Sequence, residues 1–395
     1  MEIVTPKIRF PSFLDSYKTR RVENILSRVT KPVELEDDKD YFEIGVRAWG
    51  KGIFHKERTS KKEIGNKRVF WVQPDLFIVN IVFAWEQAIA KTTQDEAGRI
   101  ASHRFPMYEV VDANLDYIIW YFLTNRGRHL LGLASPGGAG RNKTLGQKDF
   151  NELRLNLPSL REQEKVADFL NEIDKRLSLL NEKLDLLEQY KKGVMQKLFK
   201  QEIRFKDEIG NDFSDWQWKQ GNEVFDAISN KNHNSDLPIL AITQEYGAIP
   251  RDLINYQVQV TDGSVASYKV VEKGDYIISL RSFQGGIEYS RYRGICSPAY
   301  IILRPSISID DDFYRYYLKT GRFIQEMKRR LEGIRDGKIL SYKYFSEIKL
   351  PFPCIEEQRK ISHFINTLDK KLSLVKEQIE LTQTFKKGLL QQMFV

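Results

Sequence analysis

Two stretches of the chain have the apolar spacing of long amphipathic helices. In the first, apolar residues recur in alternating steps of four and three, at Val166, Leu170, Ile173, Leu177, Leu180, Leu184 and Leu187, and the pattern resumes at Val194 and Leu198 after Lys191. A seam with this period is typical of a helix that packs against another helix. We therefore predict a helix over residues 161–198, which would be about 57 Å long at about 1.5 Å per residue.

The second stretch is a copy of the first. Its apolar positions are Ile361, Ile365, Leu368, Leu372, Val375 and Ile379, followed by Thr382 and Lys386 and then by Leu389 and Met393. Residues 150–199 and 345–394 align without a gap at an offset of 195 and are identical at 21 of 50 positions. An ungapped repeat of this length implies two copies of one unit. We expect the two helices to pack antiparallel; the alternative is a pair of ordinary bundle helices in separate domains.

Weaker repeats lie outside the predicted helices. Ile8-Arg9-Phe10 matches Ile203-Arg204-Phe205 at the offset of 195, which also aligns Asp116 with Asp311 and Tyr121 with Tyr316. Residues 40–100 and 240–295 otherwise diverge, although both have the alternation, glycine turns and aromatic residues of strands.

We predict an α+β fold, with two pseudo-symmetric globular α/β domains separated by two long helices that form an antiparallel coiled coil. The expected boundaries are 1–150 and 201–345 for the domains and 151–200 and 346–395 for the helical spacers.

Composition supports two globular units. The 395 residues are 41% hydrophobic and include two cysteines, Cys296 and Cys354, which match no zinc-ligand spacing. The first ten residues lack the features of a signal peptide, and the most apolar stretch, 76–85, is too short to span a membrane. We expect a soluble protein of the reducing cytoplasm without membrane association.

Motifs for catalysis are absent from the sequence. There is no Asn-Pro-Pro-aromatic run and no GxGxxG after a strand, and the five histidines are scattered. The Gly-rich run 137–144 approaches a phosphate loop, but Asn142 stands where that motif requires glycine. The sequence therefore predicts a binding protein that is not an enzyme and uses no cofactor or metal.

The net charge of +8 is small, but basic residues cluster inside the divergent regions. Residues 41–70 contain eight Lys or Arg against three acids, and residues 126–148 contain five and no acid. Such groups neutralise DNA phosphates, and Arg, Asn and Gln also bind base edges; the alternative is a solvated surface. The candidate DNA-binding residues are Arg47, Lys51, Arg58, Arg126, Arg128, Arg141, Asn142, Lys143, Arg281, Gln284, Arg291, Arg293, Arg335 and Lys338.

With these features, the chain resembles the specificity subunits of type I restriction-modification systems. The motifs that carry the resemblance are Leu157-Pro158-Ser159-Leu160-Arg161-Glu162-Gln163 with its copy Phe352-Pro353-Cys354-Ile355-Glu356-Glu357-Gln358, Lys191-Lys192-Gly193 with Lys386-Lys387-Gly388, Phe83-Ala84-Trp85-Glu86-Gln87-Ala88-Ile89-Ala90, and Ser297-Pro298-Ala299-Tyr300.

The resemblance implies two recognition domains that each read one half of an interrupted site in double-stranded DNA. It implies that the helices set the gap between the halves. It also implies two modification subunits that methylate adenine and two restriction subunits that translocate and cleave DNA. Other hypotheses are a methyltransferase or nuclease in its own right, a coiled-coil adaptor without sequence readout, and the specificity subunit of a type IIG or type I-like system.

Overall fold

We describe the protein from a computed structural model, whose described residues are 5–137, 143–234, 236–254, 265–331 and 341–395, without the side chains of residues 330 and 331. The chain forms two compact units. Unit 1 comprises Met1–Glu182 and Lys376–Val395, and unit 2 comprises Lys183–Val375. Unit 1 is thus built from two segments that are distant in sequence, whereas unit 2 is one continuous segment.

The first segment of unit 1 is rich in short strands. Its strands are β1 (Lys18–Arg21), β2 (Leu26–Val29), β3 (Asp40–Val46), β4 (Ile53–Ser60), β5 (Val69–Trp71), β6 (Phe77–Val79), β7 (Ile89–Lys91), β8 (Ile100–Ser102), β9 (Met107–Val110) and β10 (Arg154–Leu157). The helices are α1 (Lys61–Ile64), α2 (Leu115–Leu123), α3 (Asn125–Leu133), α4 (Gln147–Glu152) and α5 (Leu160–Phe199), with 3-10 helices at Val22–Asn24, Ala84–Glu86 and Gln94–Glu96. The part of α5 from Lys183 onward belongs to unit 2.

Unit 2 has a set of elements that corresponds to that of unit 1. Its strands are β11 (Gln217–Gln220), β12 (Phe225–Ile228), β13 (Leu240–Thr243), β14 (Gly247–Pro250), β15 (Lys269–Val271), β16 (Tyr276–Ile278), β17 (Glu288–Tyr289), β18 (Gly294–Cys296), β19 (Ile301–Pro305) and β20 (Lys349–Phe352). The helices are α6 (Gly221–Val224), α7 (Ser282–Gly285), α8 (Asp311–Tyr317), α9 (Gly321–Leu331), α10 (Tyr342–Ser346) and α11 (Ile355–Gln392), with a 3-10 helix at Arg251–Leu253. The part of α11 from Lys376 onward belongs to unit 1.

The same central sheet occurs in both units. Its antiparallel order is β2-β9-β6-β7 in unit 1 and β12-β19-β16-β17 in unit 2. A separate two-stranded sheet, β1-β10 or β11-β20, precedes each long helix. The units differ beyond this shared scaffold, because unit 1 has a second four-stranded sheet, β4-β3-β8-β5, whereas the described residues of unit 2 form the pairs β13-β14 and β15-β18.

The central strands are buried on both faces. Phe77 and Val79 of β6 lie in one hydrophobic cluster of unit 1, and Ile78 lies in another. Tyr276 and Ile277 of β16 are divided between two clusters of unit 2 in the same way. Since successive side chains of a strand point to opposite faces, an uninterrupted apolar triplet is suited to the middle of a two-layered core.

The long helices complete the cores of both units. In unit 1 the first turns of α5, including Leu170, share a cluster with Leu389 and Phe394 at the end of α11. In unit 2 the last turn of α5, including Phe199, shares a cluster with Ile361 at the start of α11. Within each unit the start of one helix therefore packs against the end of the other, which confirms the predicted α+β class and antiparallel helix pairing.

The repeat has an offset of 196, not 195, at α2 and α8. Asn114 caps α2 by accepting from the Tyr117 amide, and Asp310, 196 positions later, caps α8 in the same way. Asn171 donates to Asp116, whereas Asn366 donates to Asp312. The structural counterpart of Asp116 is thus Asp312, so the sequence alignments of Asp116 with Asp311 and of Tyr121 with Tyr316 are wrong by one residue.

Candidate nucleic-acid interface

A buried carboxylate anchors the start of each long helix. Glu162 accepts two hydrogen bonds of 2.7 Å from Arg9 and one of 3.1 Å from Tyr17. Glu357 accepts bonds of 3.0 and 2.8 Å from Arg204 and one of 2.9 Å from the Trp216 indole. Because both carboxylates are almost fully buried, each needs these cationic and polar donors to offset its desolvation. The repeated Glu-Gln motif is therefore part of the scaffold in both units.

The glutamine of the motif connects the start of each long helix to the N-terminus of α2 or α8. The Gln163 side chain donates to the Pro158 carbonyl and accepts from the Asn114 amide, both at 3.0 Å. Gln358 bonds in the same way to Pro353 and Asp310, at 2.8 and 2.9 Å. These contacts fix where α2 and α8 begin relative to the helix that supports them.

The lysines that interrupt the apolar seams form ion pairs within each unit. Lys386 pairs with Asp174 and lies over the Trp120 ring in unit 1. Lys191 pairs with Asp369 in unit 2. The two ion pairs are related by the 195-residue repeat. Because each lysine has a carboxylate partner, a polar side chain is accommodated in an otherwise apolar seam.

A cationic and aromatic surface lies at the tip of the β3-β4 hairpin in unit 1. Arg47 lies 5.0 Å from the centroid of the Phe54 ring, and Arg128 lies 4.5 Å from the centroid of the Trp49 ring. Trp49 is 49% exposed, although tryptophan is usually well buried. Stacking restricts each guanidinium to one plane and leaves its N–H groups free to bind a phosphate or a base edge. We call Arg47, Trp49, Phe54 and Arg128 the unit 1 tip surface.

The hairpin tip is held firmly by the rest of unit 1. The amides of Trp49 and Gly50 donate to the carbonyls of Glu86 and Gln87, at 2.7 and 3.0 Å. The Gln87 side chain in turn donates to the Phe122 and Thr124 carbonyls, at 2.8 and 3.1 Å. Gly50 has φ +62°, in the left-handed region that favours glycine, and a Cβ there would lie 2.5 Å from the end of the Leu123 side chain. The unit 1 tip surface is therefore preorganised.

The other described candidates of unit 1 lie on its surface in varied settings. Arg58 forms an exposed ion pair with Asp40 at 3.1 Å, and Lys51 is exposed at the hairpin tip. Arg126 donates to the Tyr121 hydroxyl at 3.2 Å. These residues are accessible to DNA, but Arg58 already has a carboxylate partner.

A tryptophan adjoins one further candidate. Lys143 lies 5.4 Å from the centroid of the Trp85 ring. The buried Trp85 indole nitrogen has no hydrogen-bond partner in the described part of the chain. Lys143 therefore extends the cationic and aromatic character of this surface to the 3-10 helix after β6.

In unit 2, Arg281 and Gln284 are exposed on and beside the short helix α7. Arg291 and Arg293 are also exposed, and they pair with Asp312 at 3.5 Å and with Glu272 at 3.2 Å. The carboxylates reduce the net charge that these two arginines offer to a polyanion. The side chains of Arg281 and Gln284 are thus more available for contact with DNA than those of Arg291 and Arg293.

Four predicted residues, Arg141, Asn142, Arg335 and Lys338, lie outside the described residues. Sequence reasoning missed the aromatic partners, Trp49 and Trp85, because the pairing of each ring with a cation depends on contacts between distant segments. The short run Trp49-Gly50-Lys51-Gly52, a tryptophan in a glycine turn, was the available signal.

The structure also bears on metal binding and on membrane crossing. Among the described residues, no His, Cys, Asp or Glu side chains form a group of three suited to a metal ion. None of the helices in the described ranges is both long enough and apolar enough to cross a membrane.

Comparison with known proteins relates the chain to a family. The sequence model of the type I restriction modification DNA specificity domain matches residues 57–189 and 214–383. The chain is 24% identical over 270 residues to the putative type I restriction enzyme MjaX specificity subunit and 26% identical over 272 residues to the type I restriction enzyme MjaVIII specificity subunit, both of Methanocaldococcus jannaschii. These alignments cover 64% and 62% of this chain and only 61% and 62% of the relatives' own lengths.

Solved structures share the fold. The S subunit of a type I restriction-modification system from M. genitalium matches with a TM-score of 0.56 at 17% identity, over 99% of both chains. The HsdS subunit from Thermoanaerobacter tengcongensis matches with a TM-score of 0.52 at 17% identity, over 98% of this chain and 96% of that one. At this identity the likeness shows the fold alone.

Proposed function

Since the chain belongs to the type I restriction modification DNA specificity family, we propose that it is the DNA-recognition subunit of a restriction-modification complex. It has no catalytic activity itself and directs partner methyltransferase and restriction subunits to an interrupted DNA site. The recognition domains are residues 1–150 and 201–345, and the helical spacers are 151–200 and 346–395. The complex works in the cytoplasm.

One observation carries this proposal: the two units present unlike surfaces on the same central sheet. The central sheet has the same strand order in both units, and a short helical turn follows its strand β6 in unit 1 and β16 in unit 2. At the tip of the first hairpin, however, unit 1 has a stacked Trp-Arg pair, whereas unit 2 has a turn, Gln244–Tyr246, without a basic residue. A common scaffold with different polar groups is suited to reading two different short DNA sequences.

We assign DNA contact to the fourteen residues that the sequence singled out, with the stacked Arg47 and Arg128 as the best-supported in unit 1. Base-edge contacts by Arg or Gln give sequence discrimination, and the remaining lysines and arginines bind phosphates. Arg281 and Gln284 are assigned to the second half-site, because they are exposed and have no carboxylate partner in the described residues.

The outer faces of the long helices are the proposed docking surfaces for partner subunits. Leu179, Leu186 and Tyr190 of α5 are each more than half exposed. Spacings of seven and four place them on one face of the helix. The matching positions of α11, 195 residues later, are Leu374, Leu381 and Phe385, and these are also more than half exposed. Two equivalent apolar stripes are suited to two copies of a modification subunit, with which two restriction subunits then assemble.

Docking is tested by replacing Leu186 with Ser in one variant and Leu381 with Ser in another. We expect each variant to bind one fewer modification subunit, measured by the mass of the purified complex. The control is Lys183→Ser, a polar substitution on the same helix. If both leucine variants retained the full complement, the stripes would not be the docking surfaces.

The function itself is tested by sequencing the methylome of cells that express the chain with its modification subunit. We expect one new methylated motif made of two unlike half-sequences separated by a fixed gap. Cells with the modification subunit alone provide the control. Absence of any new motif, or an uninterrupted motif, would refute the proposal.

A further inference from the structure

The β13-β14 hairpin of unit 2 has no predicted DNA contact, although it is the counterpart of the β3-β4 hairpin of unit 1. Its turn consists of Gln244, Glu245 and Tyr246, all exposed, with Tyr246 59% exposed. The turn is shorter than that of the β3-β4 hairpin and carries no basic residue, so clusters of charge in the sequence do not indicate a DNA contact here. The position of the turn in unit 2 does indicate one.

Gln244 packs directly against the helix that carries the predicted readers. A Cβ at position 285 of α7 would lie 2.4 Å from the amide carbon of the Gln244 side chain, so the lack of a side chain at Gly285 gives Gln244 room to approach α7 this closely. The hairpin tip therefore lies beside Arg281 and Gln284, on the same surface of unit 2. A glutamine in this position offers both a donor and an acceptor, the pair of groups that recognises adenine in the major groove.

A lysine from another element holds the hairpin tip in place. Lys319, between α8 and α9, donates to the Gln244 carbonyl at 2.8 Å and pairs with Glu288 of β17 at 2.6 Å. The Glu288 carboxyl is only 3% exposed, and its burial raises its pKa, while Lys319 opposes the rise. A carboxylate buried to this extent requires its cation, which makes the position of the lysine well defined.

Unit 1 uses an apolar contact at the equivalent place. Leu123 corresponds to Lys319 at the α2-α8 offset of 196, and it packs against Gly50 at the hairpin tip. Ala90 of β7, buried in the core, occupies the place of Glu288 on β17. Ala90 pairs with Ile78 of β6, and Glu288 pairs with Ile277 of β16. The polar pair in unit 2 is therefore not required by the scaffold, since the other copy of the scaffold is built without it.

We propose that Gln244 and Tyr246 are base-contacting residues for the second half-site, and that the Lys319–Glu288 pair is the positioning element that holds them against α7. This inference rests on the proposed DNA-recognition function and adds to it a second reading element in unit 2. Lys319 and Glu288 act through the hairpin and do not themselves contact the bases.

Direct reading is tested with Gln244→Ala in the assembled complex of chain and modification subunit. Once the methylome has given the motif, binding is measured by competition between the cognate duplex and duplexes with one altered base pair. We expect discrimination to fall about tenfold at one or two base pairs of the second half-site and to be unchanged in the first. Equal loss of affinity for all duplexes, or no change, would overturn the assignment of Gln244.

Positioning is tested with the double variant Lys319→Met/Glu288→Gln, which removes both charges together and leaves no unpaired carboxylate. We expect discrimination across the second half-site to fall at least tenfold, with that of the first retained. The single variant Lys319→Arg, which keeps a cation beside Glu288, should have most of the discrimination of the wild type. If the double variant discriminates as well as the wild type, or if Lys319→Arg loses as much discrimination as the double variant, the pair has no positioning role.

The matched control is Lys206→Met/Asp212→Asn, which removes an exposed ion pair of 3.6 Å elsewhere in unit 2. It should leave discrimination in both half-sites unchanged. A loss equal to that of the Lys319 variant would mean that unit 2 responds to any lost ion pair, and would overturn the inference. The proposed function is judged separately, on whether the wild-type complex produces an interrupted methylated motif and binds it specifically.

Discussion

The buried carboxylate at the start of α11 gives a sharp test of what holds unit 2 together. Glu357 is 0% exposed and accepts hydrogen bonds from Arg204 and Trp216. In Glu357→Gln the side chain keeps its shape and one acceptor oxygen, but an NH₂ group faces the guanidinium in place of the second oxygen. The substitution therefore removes the charge and leaves the Arg204 cation without its buried partner, with exposed Asp215 at 3.6 Å as its remaining carboxylate.

The expected cost follows from the burial of the pair. Removing one partner of a buried ion pair costs about 3–5 kcal/mol. Arg204 is 22% exposed, so water solvates part of its guanidinium and the lower end applies. We expect unit 2 to lose about 3 kcal/mol of unfolding free energy, and with an m-value of about 2 kcal/mol per molar urea the midpoint falls by about 1.5 M.

The assay is urea unfolding followed by circular dichroism, with pulsed hydrogen exchange of peptides from residues 217–228 to assign the transition to unit 2. Glu356→Gln is the matched control, because Glu356 is exposed on the same helical turn, and its effect should stay within about 0.5 kcal/mol. Adding Arg204→Met to Glu357→Gln should recover part of the loss, since no guanidinium then lacks its buried partner. A Glu357→Gln midpoint no lower than that of Glu356→Gln would refute the reasoning.

Three further predictions concern the spacer, one reader and the thiols. Inserting four residues after Leu184 and four after Ile379 adds about 6 Å to each helix, so the methylated motif should keep its half-sequences and lengthen its gap; changed half-sequences would mean that the helices read bases. Arg281→Ala should relax recognition of one half-site only in duplex competition, and a uniform loss of affinity would identify Arg281 as a phosphate contact. Burial raises the pKa of the Cys296 thiol to about 12, so iodoacetamide at pH 8 should label partly exposed Cys354 first by peptide mass spectrometry; equal labelling would contradict this.

The long helices could be predicted from the sequence because their packing is periodic. The seam residues of α11, such as Ile365 and Leu372, are buried as the heptad spacing indicates. The predicted α+β class follows from the same local patterns. Local patterns do not show, however, that α11 begins in the core of one unit and ends in that of the other, because this depends on contacts between segments hundreds of residues apart.

The interface was harder to predict for the same reason. The basic clusters indicated Arg47 and Arg128, but charge counting did not show that each guanidinium lies on an aromatic ring. The single-residue shift at α8 was also hidden, because neighbouring aspartates at 311 and 312 both fit the repeat. The cap at Asp310 and the hydrogen bond from Asn366 identify Asp312 as the aspartate with the role of Asp116.

The interleaving of the units determines the order in which they mature during synthesis. Unit 2 is continuous in sequence and has all of its residues once translation has passed Val375. Unit 1 begins first, but its core includes Leu389, Met393 and Phe394, and the Tyr121 hydroxyl donates to the Val395 carbonyl. The N-terminal segment therefore leaves the ribosome without the helix that covers its core, and the unit that is started first is the last to close.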